Sequence, residues 1–339
     1  MNKTLICGLL AVSAVAGLSL PVLADDYPAR PITMIVPYPP GGPSDVVARI
    51  MADGMSKALN GNIVIENVGG AGGTIGTARA AEAAGDGYTL LGASMGSHVA
   101  APSLYKNLRY DSRKDFVPIG LASNAQAVVV ARKDFPAKDL KEFIAYLKAN
   151  GDKVKQAEGG VGSSSYLACL QFTTAAGVNP TLVGYRGTGP ALTDLIGGHV
   201  DFFCEQAVSV QGAIKGGTVK AYVVSGDKRL SAIPDVPSAK EEGLPGYNIS
   251  VWSAIFAPKG TPKPIVSKLV EALNKTLDDP VTVKRLHDLG GTVPPKRDRG
   301  LEPLAERLKD DIAFWHPLLT KSAATMQKPK SGAWIAQDL

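Results

Sequence analysis

Histidine, cysteine and strong net charge are what this chain of 339 residues has little of. Four scattered histidines and three cysteines, with no H-E-x-x-H and no C-x-x-C, give metal chemistry no support, and neither a metal nor a cofactor is expected. The formal charge of +5 is too mild to argue for a nucleic-acid partner. Aromatic residues make up 6% of the chain against 45% apolar ones. Beyond the first two dozen residues, no apolar run is long enough to cross a bilayer.

What is present begins at the N-terminus. Met1-Asn-Lys3 precedes an apolar run from Leu5 to Leu20, and Pro21-Val22-Leu23-Ala24 ends in a V-x-A pattern. A charged start, an apolar middle and a small-residue end read as a secretory signal cleaved after Ala24. A membrane anchor is the alternative; Pro21 and the fit of the cleavage site argue against it. Cleavage takes Lys3 from the formal charge, +5 becoming +4, and leaves Asp25 to Leu339 as an exported, soluble chain. Cys169 and Cys204 survive processing. An exported chain can oxidise them, and one bridge or two buried thiols both fit their apolar surroundings.

Strand-like and helix-like segments alternate with short Gly/Pro punctuation, which argues for an α/β fold with largely parallel sheets. Strands are expected at Ile32–Val36, Asn62–Glu66, Tyr88–Leu91, Ala127–Ala131, Thr181–Tyr185, Val200–Phe203, Val219–Val224 and Trp252–Ala257. Among the helices, Asp45–Leu59 carries Val46, Val47, Ile50, Met51 and Met55 at helical spacing. Others are expected at Gly73–Ala83, Leu140–Ala149, Ser164–Ala175, Pro190–Ile196, Pro264–Leu277, Pro280–Leu289 and Leu301–Leu319. The length suits two lobes. Ala127–Pro136 and Ser253–Pro262 both read as a strand, a lysine turn and a proline before a helix, two places where the chain enters a lobe. One lobe is therefore expected at residues 25–125 plus 249–339 and the other at 126–248. Two crossings make a two-strand hinge, which suits closure around a ligand.

Four glycine-rich loops are the candidate sites. The first, Pro37-Tyr-Pro-Pro-Gly-Gly-Pro-Ser-Asp45, lies between a strand and a helix but lacks the Lys-Ser/Thr pair of a nucleotide loop. It offers backbone N–H groups at a helix N-terminus, with Ser44 or Asp45 as cap, and suits a modest anion such as a carboxylate. The second, Asn67–Gly76, has Ile75 where a dinucleotide fingerprint needs its third glycine, and reads as close helix–sheet packing. The third, Gly92-Ala93-Ser94-Met95-Gly96, matches the nucleophile elbow of α/β-hydrolases. No oxyanion loop precedes it, and none of His98, His199, His287 and His316 stands in an obvious base position. A serine hydrolase using Ser94 remains an alternative; Ser94 as a ligand contact in the cleft is preferred. The fourth, Gly159-Gly-Val-Gly-Ser-Ser-Ser-Tyr166, puts three hydroxyls at a helix start. Facing the first loop across the cleft, it would hold an anion between two helix N-termini.

The segments YPARPITMIVPYPPGGPSDVVARIMA, ENVGGAGGTIGTARAAEAAGDGYTLL, YRGTGPALTDLIGGHVDFF and IPDVPSAKEEGLPGYNISVWSAIFAPKGTPKPIV closely resemble the Bug-type extracytoplasmic solute receptors of tripartite tricarboxylate transporters. The resemblance spans essentially all of the chain after the signal. It implies a periplasmic-binding-protein-like fold of two doubly wound α/β lobes, and a periplasmic, non-enzymatic receptor; a monomer is expected. Such a receptor captures small aliphatic or aromatic carboxylates for membrane permease subunits; a sensor presenting its closed form to a signalling protein is the alternative. Carried over by motif, the ligand-binding residues are Tyr38, Pro40, Gly42, Pro43, Ser44 and Asp45 in the first loop and Gly160, Gly162, Ser163 and Ser164 in the fourth. Tyr185, Glu205 and Gln206 would line the far wall. This chain departs from the family's usual pattern at Pro43-Ser44, at Gln156-Ala157-Glu158, at Tyr166 and at Glu205-Gln206, so ligand identity is not inherited. Tyr166 is expected either to stack on an aromatic acid or to pack.

Overall fold

The computed structural model describes residues 26–326; the expected signal segment, with its expected cleavage site at Ala24, lies outside the described residues. Among the described residues no helix is long and apolar enough to cross a membrane.

Two trios of parallel strands are joined by antiparallel ones, in a two-lobed α/β fold. In the first trio β1 (Ile32–Val36) lies between β2 (Ile63–Asn67) and β3 (Thr89–Ser94). In the second, β5 (Lys155–Glu158) lies between β6 (Thr181–Gly184) and β7 (Phe202–Gln206). β4 (Phe116–Arg132) and β9 (Ser250–Pro258) link the trios. β9 runs antiparallel to β3 and to β4 as far as Gln126. From Ala127 onward β4 pairs antiparallel with β7, and from Val128 also with β8 (Val219–Val224). A short β10 (Gly291–Thr292) pairs with the middle of β4. The sheet is thus mixed rather than largely parallel, because the linking strands run against both trios.

β4 is far longer than the expected Ala127–Ala131. Pro118, Gly120, Ser123 and Asn124 interrupt its alternation, and register shifts at Pro118/Gly120 and Leu121/Ser123 absorb them. β5 escapes hydrophobic patterning altogether, since it reads Lys-Gln-Ala-Glu although Gln156, Ala157 and Glu158 are buried.

Helices cover both faces. α1 (Pro43–Leu59) buries Val47, Ile50, Met51 and Met55 in one cluster with Leu269 and Leu273 of α8 (Lys263–Asp278). Each such side chain contributes ~1.5–3 kcal/mol when fully buried. The two helices approach so closely that a Cβ on Gly54 would collide with Thr276. α2 (Thr74–Ala81) and the short α3 (Ala101–Leu104) flank the first trio. α4 (Leu140–Asn150) starts on Asp139, which accepts from the Glu142 amide at 2.8 Å while Glu142 accepts from Lys138 N at 2.9 Å. In the second trio α5 (Ser164–Ala176), α6 (Thr188–Ile196) and α7 (Ala207–Lys215) follow β5, β6 and β7 in turn; α7 is not foreseen from the sequence. After α9 (Pro280–Asp288), α10 (Leu301–Met326) buries Leu304, Leu308, Trp315 and Leu319 in a cluster with Val251 and Trp252 of β9. Trp252 Nε1 donates to Asp311 of that helix at 2.7 Å. Cys169 of α5 and Cys204 of β7 form a disulfide, their Cα atoms 5.1 Å apart, which decides between the bridge and the two thiols.

Candidate functional site

The helices that follow parallel strands begin at the strands' C-terminal ends, where crevices form in α/β folds. Here the starts of α1, α5, α6 and α7 converge on one cleft.

β1 ends at Val36 and the chain turns through Tyr38-Pro-Pro-Gly-Gly42 into α1. Gly42 is the N-cap, with no side-chain cap, and Pro43 opens the helix, where its missing N–H is no loss. Neither Ser44 nor Asp45 caps the helix. Asp45 accepts from Gly41 N at 2.9 Å, from Arg49 Nε at 3.0 Å and from Asn67 Nδ2 at 2.8 Å. Burial would raise its carboxyl, but the bonds from Arg49, Gly41 and Asn67 outweigh that and hold it below its ordinary value. Asp45 is thus spent on tying the loop to its neighbours. Among the described residues the amides of Ser44 and Asp45 find no acceptor, and these are the donors α1 offers.

Across the cleft, Ser163 caps α5 by accepting from Tyr166 N at 3.2 Å. Its hydroxyl also pairs with Ser165 Oγ at 2.9 Å, and Ser165 accepts from Gly159 N at 2.9 Å. The three serines therefore lock the loop while leaving the amides of Ser164 and Ser165 without an acceptor among the described residues. Gly160 and Gly162 take φ of 106° and 80°, where glycine is favoured, and shape this turn.

The two loops are linked through Ser94. Ser164 Oγ donates to Ser94 Oγ at 3.4 Å, Ser94 Oγ to the Tyr38 hydroxyl at 3.2 Å, and that hydroxyl to Gly72 O at 3.2 Å. The Tyr105 hydroxyl donates to Val161 O at 3.0 Å. Gly72, at φ 63°, lies against Val161 O where no Cβ would fit. The second glycine loop thus packs closely against the fourth loop as well as against its own sheet. Burial pushes the Tyr38 phenol up to about 12, so it stays a neutral donor.

The remaining wall comes from Gly187 and Thr188 at the start of α6 and from Glu205 and Gln206 before α7. Glu205 is 1% exposed. Its carboxyl accepts from the Thr188 hydroxyl at 2.5 Å and from Gln206 N at 2.7 Å. Burial nonetheless pushes it up to about 7. The cleft is a small, partly open cavity of about 20 Å³. The two sides lie nearly closed on each other.

Of the residues expected to meet a ligand, Tyr38, Gly42, Pro43, Ser44, Ser163, Ser164, Glu205 and Gln206 line this cleft. The others do not. Pro40 is exposed at the turn, Asp45 is tied to Arg49 and Asn67, and Ser94 lies behind Tyr38. Gly160 and Gly162 set backbone shape. Tyr166 is buried in the apolar cluster of α5, which favours packing over stacking on a ligand. The Tyr185 hydroxyl is donated to Asp194 at 2.7 Å. Pro39, Gly159 and Ser165, inside the two loops singled out but not among the named contacts, also line the cleft, as do Gly187 and Thr188, which sequence reasoning passes over; the Gly-Thr-Gly-Pro run at the start of α6 is the available signal.

The elbow around Ser94 lacks a base among the described residues. His98 pairs through Nδ1 with Ser97 Oγ at 3.1 Å and stacks on Phe256 at 4.3 Å between ring centres. Burial lowers its imidazole to about 3. Among the described residues no cluster of His, Cys, Asp and Glu is arranged to hold a metal.

Known proteins resemble this chain over most of its length. The profile described as tripartite tricarboxylate transporter family receptor matches residues 47–319. A UPF0065 protein of Agrobacterium vitis is 43% identical over 274 residues, 81% of this chain and 79% of its own. BugT of Bordetella pertussis is 34% identical over 332 residues, 96% of this chain and all of its own. Among solved structures, MatC from Rhodopseudomonas palustris with bound malate is 43% identical at a TM-score of 0.83, covering 86% of this chain and 100% of that one. The periplasmic binding protein BugD is 42% identical, also at 0.83, over 88% and 99%. An R. palustris protein with adipate is 27% identical at 0.82, over 88% and 99%.

Proposed function

The chain belongs to the tripartite tricarboxylate transporter receptor family, and from that premise we propose that it is a periplasmic, non-enzymatic receptor for a small carboxylate. One observation carries the proposal: the starts of four helices meet at a single cleft, with free amides at α1 and α5. A helix N-terminus stabilises an anion by ~0.3–2 kcal/mol, and each charge-assisted hydrogen bond adds roughly 1.5–3 kcal/mol. A micromolar complex needs roughly −8 kcal/mol, which such a site can supply without a catalytic group. Bound malate and adipate in two related structures support the ligand class.

The lobe limits, residues 25–125 plus 249–339 against 126–248, belong to the same proposal. The change of partner along β4 at Gln126/Ala127 supports the first of them. A two-strand hinge there lets the ligand stabilise the closed form, provided it binds that form better than the open one. Delivery to membrane permease subunits is supported by family membership.

A thermal-shift screen against a carboxylate panel tests the proposal. A ligand at 100 times its Kd raises stability by ~2.7 kcal/mol, and Ser163→Ala, which uncaps α5, should blunt the response. Melting shifts from amines or sugars, with none from carboxylates, would defeat it.

A further inference from the structure

An anion site with a buried carboxyl in its wall raises a question of charge. Glu205 faces the cleft, and among the described residues no Lys or Arg lines it. On α6 it meets the Thr188 hydroxyl; ahead of α7, the Gln206 amide; across the sheet, Val128 of β4. Its charge also reaches the phenols of Tyr38 and Tyr247, both neutral and pushed upward chiefly by burial. Asp45 is turned to Arg49 and Asn67. Glu158, on the adjacent β5, falls on the opposite face, since Ala157 stands abreast of Phe203 and residues alternate. Among the described residues no cation is placed to compensate Glu205, so a bound carboxylate and an ionised Glu205 would repel each other in the cleft. Two hydrogen bonds still leave each of its oxygens a lone pair for a third donor.

Resting on the carboxylate reading above, we propose that Glu205 makes the cleft selective for carboxylates whose skeleton also carries a hydrogen-bond donor, a hydroxyl or an ammonium. Carboxylates without one are admitted only when Glu205 takes up a proton. The donor bridges the two negative groups; without it, a proton must. The burial that pushes this carboxyl to about 7 sets the window, so donor-free ligands gain affinity as pH falls through that value.

The test is isothermal titration of the wild type and Glu205→Gln at pH ~8 and ~6. The probes are matched sets: succinate with malate and aspartate, and phenylacetate with mandelate. The glutamine keeps the size of the side chain, and the Thr188 hydroxyl can turn to accept from its amide, so the melting temperature checks that the variant is folded. A hydrogen bond to a charged acceptor corresponds to roughly ten- to a hundredfold in affinity. At pH ~8 the donor-bearing member of a set should bind the wild type at least ~10-fold more tightly than its donor-free partner. The gap should narrow at pH ~6 and close in Glu205→Gln at both pH values. Preference for malate or mandelate assigns the donor as hydroxyl, for aspartate as ammonium. Equal binding within each set at pH ~8, or a gap that survives in folded Glu205→Gln, overturns the role of Glu205 and leaves the receptor proposal standing. Failure of every probe to bind at either pH overturns the carboxylate reading and this inference with it.

Discussion

Removing the disulfide gives a prediction whose magnitude follows from its position. Cys169 and Cys204 are 35 residues apart, and both are fully buried. A cross-link closing a loop of that length stabilises by about 4 kcal/mol in the chain-entropy account. The bridge ties α5, five residues past Ser164, to β7 at the residue before Glu205, so it braces two walls of the cleft. Cys169→Ala, Cys204→Ala and the double variant would be compared by denaturant and thermal unfolding. Either single change already breaks the bridge, so each should lose about 4 kcal/mol, on the order of 10 °C in Tm, and the double variant little more. That non-additivity is the signature of a shared interaction. The carboxylate-induced melting shift should also shrink in all three. Two small, additive losses would mean that the cysteines act as independent buried thiols, and would refute the reasoning.

Three further outcomes are expected. Gly54→Ala puts a methyl into Thr276 at the α1–α8 contact and should destabilise by ~1–3 kcal/mol, read by urea unfolding. Gly72→Ala places a Cβ against Val161 O at a positive φ; it should weaken carboxylate binding, measured by titration calorimetry, more than it lowers Tm, because the clash arises where the two loops meet. Glu158, pushed up to about 7 by burial and with one oxygen unpartnered, binds its proton more tightly folded than unfolded. Its contribution is therefore fully present below about pH 4.5 and is lost as pH rises through about 7. Glu158→Gln should accordingly be more stable than the wild type by up to about 3 kcal/mol at pH ~8, with the difference gone below about pH 4.5 in a Tm-against-pH series.

The parts of the fold that hydrophobic periodicity reports were legible in the sequence. β1, α1 and the first and fourth loops stand where apolar spacing and glycine punctuation put them. What escaped depends on contacts distant in the chain. β5 is a central strand built from Lys-Gln-Ala-Glu, its polar residues buried by neighbours that no local pattern announces. β4 holds a long register across bulges at Pro118 and Leu121 because β9 lies alongside it. The role of Asp45 was misread for a related reason: a carboxyl three residues into a helix resembles a cap until Arg49 and Asn67 are seen to claim it. The family pattern led to Tyr185, whose hydroxyl here meets Asp194; Tyr166, a departure from that pattern, packs in the apolar core. Thr188 was passed over because its importance comes from Glu205, seventeen residues later.

The clamp between opposed helix starts can be read directly from backbone amides. In a 15N-labelled protein titrated with a bound carboxylate from the panel, the Ser44, Asp45, Ser164 and Ser165 amide protons should shift downfield together and saturate at one ligand per chain. Large shifts confined to residues outside the cleft, with these four amides unmoved, would contradict the account.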